Sequence, residues 1–304
     1  MKKTLGKYNY RSGTNHTTSL FHYTQDWKNV LGILQNGIYF SYSFDDLGAI
    51  FIAIPMISFC DIPLSRNQEH ISRYGNYAVG ISKDALLNKY PNGFWGPVHY
   101  VFNGSAVILA SIAKEQLKSK ESEFNEFIDN RLENPLPEYA GYFDTEKGKV
   151  HFSIDEFMPI TEMENTIQNL NKAICYTLGF IKPFDGKNKQ REKQYNYDEC
   201  EWRIILPERV KLTNGENLKW IYSQEEYNNW RGDKSQTKPH IQFAPFKFSI
   251  DHLRFIIVES DNELATCVKD IMALKTFCGE PINDEIKAQL CSKIISQEQI
   301  SKDF

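Results

Sequence analysis

Short β-type runs, separated by helical stretches of unequal length, constrain this chain most. Residues 19–24, 38–40, 56–60, 77–82, 97–102, 200–206 and 253–259 read as strands from their apolar alternation and aromatic or β-branched content. Helical patterns fall between some of these runs and not between others. Regular strand–helix–strand alternation is therefore missing, which predicts an α+β fold rather than a doubly wound parallel sheet.

The best-defined local unit is at the start. Asp26 suits an N-cap, Trp27, Val30, Leu31 and Leu34 recur at helical spacing, and Gly37 suits the C-cap. Pro55 breaks the apolar run 44–63, which predicts a loop or short helix before the strand at 56–60. Residues 64–75 and 84–90 read as helices. So does 105–135, whose stripe is Ala106, Leu109, Ile112, Leu117, Phe124, Phe127 and Leu132. The Pro, Gly and acid-rich stretch 134–149 reads as a surface loop, and 161–180 as another amphipathic helix. Residues 186–199 are polar and lysine-rich and read as exposed. The tail adds helices at about 261–277 and 283–297. No repeat is present, so the expectation is one domain over 1–304 with a helical insertion at about 105–180.

Composition narrows the function classes. A 41% hydrophobic and 13% aromatic content is enough to build a core. The net charge of −4 argues against a broad grip on a nucleic-acid backbone. No apolar run is long enough to span a bilayer, and the basic opening lacks the apolar segment of a signal peptide, so a soluble cytoplasmic protein with no membrane partner is expected. The six cysteines show no CxxC spacing, which suggests reduced thiols and gives no zinc signature. His16, His70, His99, His151, His240 and His252 have no metal-ligand spacing, so no metal is expected. Nucleotide-cradling glycine motifs and a GxSxG elbow are absent.

Three segments carry groups suited to chemistry. In the first, Leu20-Phe21-His22-Tyr23-Thr24, the alternation puts His22 and Thr24 on one strand face. An imidazole and a hydroxyl there suit a ribose or a carboxamide, or His22 is a structural histidine on a half-buried strand. In the second, Ser58 and Phe59 end a strand, with Arg73 and Tyr74 beyond. An aromatic there stacks on a flat ring or belongs to the core. In the third, Glu199, Glu201 and Arg203 share one strand face, with Cys200, Trp202 and Ile204 on the other. That face is either a solvated row of ion pairs or a catalytic carboxylate with a partner, able to stabilise an oxocarbenium-like carbon.

LFHYTQDWKNVLGILQNGI resembles the opening motif of ADP-ribosyltransferases of the poly(ADP-ribose) polymerase and DarT kinds. MISFCDIPLSRNQEHISRYGNYAVGIS and YDECEWRII occupy the places of their second and third motifs. The run SFCDIPLS…YGNYAVGISKD…PVHYV with the later EWR is similar to the AbiGi family of abortive phage-resistance proteins, over roughly residues 18–206. The resemblance implies a split-sheet transferase-like fold with C-terminal helices, and a cleft between two small sheets. It implies NAD as substrate, with His22, Tyr23, Thr24, Ser58, Phe59 and Tyr74 toward the cofactor. Glu201 would be the catalytic carboxylate, with Glu199 its partner, and the acceptor a protein or nucleic acid. The tyrosine expected near Ser58 is absent, leaving Phe59 or Tyr74 to serve. AbiGi members are often described as antitoxins, which implies the alternative of an inactive, transferase-like antitoxin or sensor that binds a partner protein. A third class is a nucleic-acid-modifying toxin using the lysine-rich residues 187–193.

Overall fold

A computed structural model describes residues 17–47, 51–89, 95–145, 147–187, 193–206, 221–222, 225, 229 and 245–303. The expectations at His16, His240 and residues 188–192 lie outside the described residues, as do the side chains of Ala106 and Leu109. The chain runs through β1 (Ser19–Thr24), α1 (Trp27–Asn36), β2 (Ser41–Asp46), β3 (Phe51–Cys60), α2 (Gln68–Tyr74), β4 (Tyr77–Ser82), α3 (Asp84–Lys89), β5 (Trp95–Pro97) and β6 (His99–Val101). A long excursion follows: α4 (Asn103–Glu133), the paired strands β7 (Gly141–Thr145) and β8 (Gly148–Phe152), and α5 (Ile154–Gly179). It returns through β9 (Ile181–Pro183), β10 (Asp185–Lys187), β11 (Lys193–Tyr195), β12 (Glu201–Ile205) and β13 (Ile221–Tyr222). The last segment holds β14 (Leu253–Val258), α6 (Leu264–Met272), β15 (Thr276–Phe277), β16 (Glu280–Pro281), α7 (Asp284–Cys291), β17 (Ile294–Ser296) and α8 (Gln297–Asp303).

The fold is α+β around one mixed nine-stranded sheet, ordered β17-β14-β4-β1-β3-β12-β5, with β2 and β13 also paired to β3. Its two halves barely join. β1 pairs with β4 along its whole length but with β3 only where Phe21 faces Cys60. The remainder of β1 splays from β3, and the site below lies in that gap. Leu20 and Phe21 point to opposite faces and are both buried. The larger core covers one face with α1 and the ends of α5, α6 and α7. A smaller cluster of Phe21, Ala78, Ile257 and Ile300 seats α8 on the other.

The opening unit forms as its local signals predict. The Asp26 side chain accepts from Lys28 N–H, Val30, Ile33 and Leu34 are buried, and Gly37 ends the helix at φ 94°. Elsewhere tertiary packing overrides composition. Residues 38–40 supply only a bridge from Ile38 to Phe246, and the strand begins at Ser41. Pro55 does not interrupt β3. Its carbonyl accepts from Leu206 N–H at 3.1 Å, so its imide nitrogen faces the same edge, where β12 ends and no ladder donor is required. The expected loop at 134–149 contains β7 and opens β8, because Phe143 stacks on Phe124 and Phe152 covers Gly141. Helix α5 starts at Ile154 rather than 161, set by a Ser153–Glu156 capping box, and runs through Pro159. The stripe on α4 is incomplete, since Ile112 is exposed. The tail has a parallel strand, β17, beside β14, which the apolar pattern did not reveal.

Gly75 closes α2 at φ 113°, and a Cβ there would sit 2.3 Å from the Thr24 carbonyl oxygen. Gly75→Ala is expected to cost at least about 2 kcal/mol, because both the backbone conformation and the space oppose it. A urea midpoint equal to that of the parent would refute this account of the α2–β4 joint.

Candidate functional site

Strand alternation at β12 sets the site. Glu201 and Arg203 point into the fold on one face. Trp202, on the other, stacks on Trp95 at 5.8 Å and lies 4.9 Å from Lys83 Nζ. Glu199 is on a short 3₁₀ turn rather than on the strand, and Cys200 links the two in a left-handed conformation, φ 42°. The strand therefore begins at Glu201, whose N–H is held by the Tyr100 hydroxyl at 2.9 Å.

Both oxygens of the Glu201 carboxylate are occupied. Oε1 accepts from Ser58 Oγ at 2.7 Å and from Arg203 Nε at 2.7 Å. Oε2 accepts from Arg203 Nη2 at 3.0 Å and from Lys182 Nζ at 3.1 Å. Lys182 also donates to Glu199 Oε2 at 2.5 Å, whose other oxygen accepts from the Tyr74 hydroxyl at 2.9 Å. Arg203 turns its remaining nitrogen to Asp45 at 2.6 Å and to the Gly179 carbonyl at 2.8 Å. Burial would raise the Glu201 carboxyl, but the charges of Arg203 and Lys182, with the hydrogen bonds donated by Arg203 and Ser58, outweigh it and hold the group well below the usual range. Burial likewise opposes the charge on Lys182, and Glu201 and Glu199 overcome it and raise its pKa.

His22 fills the gap between the splayed strands. Its Nδ1 lies 2.9 Å from the Ser58 carbonyl, where a ladder hydrogen bond would otherwise run. A carbonyl only accepts, so Nδ1 carries the proton, and burial lowers the pKa and keeps the ring neutral. Phe59 meets His22 edge-on at 5.9 Å while remaining in the main core, so it is both core and wall. Tyr23, His70 and Tyr74 stand in a row, with centroids 4.9 and 4.4 Å apart.

These side chains enclose a cavity of about 160 Å³, lined by His22, Tyr23, Ser58, Phe59, Tyr74, Glu199 and Glu201 among others. Of the eight residues that the resemblance assigns to cofactor binding or catalysis, only Thr24 is outside it. Thr24 Oγ1 accepts from Asn29 Nδ2 at 2.8 Å, beside the start of α1. Sequence reasoning missed Asp45, Tyr100 and Lys182, which come from distant segments, and took His70 only as a histidine without metal spacing. A larger groove of about 460 Å³ adjoins, sharing His70 and Glu199 and lined also by Arg66, Arg73 and Tyr197. Among the described residues no group of three or more His, Cys, Asp or Glu is placed to hold a metal ion. None of their helices is long and apolar enough to cross a membrane.

A family model described as "Putative abortive phage resistance protein AbiGi, antitoxin" matches residues 39–259, most of the chain and all of β12. The chain belongs to the AbiGi family. Its involvement is thus in abortive phage resistance, a setting that the family description links to an antitoxin. No curated protein and no solved structure matches the chain significantly. The likeness to ADP-ribosyltransferases therefore stays at the level of the three motifs, while the AbiGi match begins at residue 39 rather than near 18, leaving β1 outside it, and extends past the expected limit at residue 206.

Two outcomes follow from this geometry. Arg203→Met leaves Glu201 and Asp45 without their buried guanidinium and is expected to cost about 3–5 kcal/mol, read as a lowered denaturation midpoint. A midpoint unchanged within error would mean that the network does not hold the fold. The second concerns acid. Burial and the nearby Arg73 lower His70 to about 4. The unfolded chain, with His near 6.5, takes the proton first as pH falls. Stability from neutral His70 is present above that value and is lost between the two, up to about 3 kcal/mol. Glu201 acts lower, its contribution being lost only as pH drops below the ordinary carboxylate range. His70→Phe is expected to lessen the slope of the stability–pH profile between about 6.5 and 4, leaving the part that neutral His22 contributes; an unchanged slope there would refute the assignment.

Proposed function

We propose that this chain is the antitoxin-type, partner-binding component of an abortive phage-resistance pair, with a crevice that serves structure rather than turnover. The observation that carries this reading is the saturated Glu201 carboxylate. Four charge-assisted hydrogen bonds from Ser58, Arg203 and Lys182 occupy both its oxygens. A carboxylate that stabilises an oxocarbenium-like carbon must turn an oxygen toward the sugar, and this one faces its own cations. The cavity, about 160 Å³, suits a single ring. Pockets that enclose drug-sized ligands run to roughly 300–1,000 Å³, so the whole dinucleotide does not fit within it. The family description, with its antitoxin label, points the same way.

A second reading is NAD-dependent ADP-ribosyl transfer to a protein or nucleic-acid acceptor. It is favoured by the meeting of His22, Tyr23, Ser58, Phe59, Tyr74, Glu199 and Glu201 on one cavity, although β1 and β12 are far apart in sequence. In that reading Phe59 and Tyr74 border the nicotinamide. Lys182 releases Glu201, which then holds the ribose as nicotinamide leaves, and the adjoining groove takes the rest of the dinucleotide.

Expression of the chain alone, together with incubation of the purified chain with labelled NAD, separates the two. The antitoxin reading expects normal growth, no nicotinamide release and no labelled acceptor, with Glu201→Gln changing thermal stability only. Nicotinamide release that disappears in a folded Glu201→Gln variant would overturn it in favour of the transferase.

A further inference from the structure

The excursion between β6 and β9 has a charge that the crevice does not use. Residues 121–165 contain twelve Asp or Glu against three Lys or Arg, a surplus of nine negative charges in a chain whose net charge is −4. The same stretch leaves large apolar side chains in solvent. Ile154, Phe157 and Met158 are 79, 51 and 60% exposed, and their spacing puts them on one face of the first turns of α5. Tyr139 and Tyr142 are about half exposed and flank His151, with ring centroids 4.0 and 6.2 Å away. Phe157 packs on Phe152 at 5.6 Å, on the face of β8 opposite His151, so the tip presents apolar groups on both sides of the hairpin. Single apolar side chains on a surface need no explanation, but five within twenty residues of one tip do.

The tip is also held in shape. The Ser153–Glu156 capping box starts α5, Arg131 of α4 pairs with Glu156, and Lys147 pairs with Asp129 at 2.6 Å. With 31 residues α4 covers about 46 Å, so the tip is far from the end of β6 where that helix starts. Rigid aromatic anchors ringed by charge of one sign are what a protein interface uses: the apolar groups slow dissociation, and the charges speed encounter and select the partner. The surplus negative charge repels nucleic acid, and it repels the same tip of a second copy.

We propose that this acidic, aromatic tip, formed by β7, β8 and the first turns of α5, is the docking surface for the cognate toxin, which presents a basic face to it. The proposal rests on the partner-binding reading above. The test uses the full chain and its purified co-encoded toxin as the probe, with binding rates measured at low and high salt. Phe157→Ala with Met158→Ala is expected to weaken affinity about 30-fold, mainly through faster dissociation. Glu138→Lys with Asp144→Lys and Glu162→Lys is expected to slow association about tenfold and to flatten its salt dependence. All five side chains are exposed, and unchanged circular dichroism and thermal midpoints exclude misfolding. If the parent chain binds the toxin and both variants bind equally well, the docking surface is elsewhere and the partner-binding reading stands. If the parent chain neither binds nor neutralises the toxin, both fail. Light scattering that shows a dimer broken by Phe157→Ala would assign the tip to a second copy and overturn the proposal.

Discussion

A guanidinium buried among carboxylates organises this molecule. Arg203 is 1% exposed, and taking its charge out of water costs several kcal/mol unless its donors are met. Its partners come from β2 through Asp45, from β12 through Glu201 and from the end of α5 through the Gly179 carbonyl. Lys182 on β9 and Glu199 before β12 extend the same chain of alternating charge. Elements remote in sequence are thereby required to meet at one place, and few alternative packings satisfy that requirement.

The splay between β1 and β3 is the other half of the arrangement. Continuous pairing would leave no space beside Ser58, and simple separation would leave its carbonyl without a donor. His22 resolves this by replacing the backbone donor with a side chain. The crevice thus has a neutral imidazole, the Phe59 ring and one aromatic row on one side and a compensated charge network on the other. It has the outline of a ligand site and the wiring of a structural core, which is why the antitoxin reading is preferred to turnover.

Much of this was legible where the signal is local. Asp26, the apolar spacing of α1 and Gly37 lie within a dozen residues, and caps act at that range. The alternation of Glu201, Trp202 and Arg203 was legible for the same reason, since period two follows from strand geometry. Lys182, Asp45 and Tyr100 were not legible, because nothing near them in sequence marks them and only the sheet order brings them to Glu201. Thr24 was expected inside because alternation ignores the competing bond to Asn29. Pro55 was read as a breaker because sequence does not say which edge of a strand lacks a neighbour. The strands at 141–152 were hidden by glycine and acid, their stability coming from the aromatic stack on α4 rather than from their own propensity.

The Gly179 carbonyl that holds Arg203 is also the last residue of α5. At about 1.5 Å per residue that helix extends about 39 Å from the excursion's tip to its root. One continuous element therefore joins the exposed Ile154 and Met158 at the tip to the carbonyl that accepts from Arg203, so the two ends of the excursion share a single hydrogen-bonded backbone.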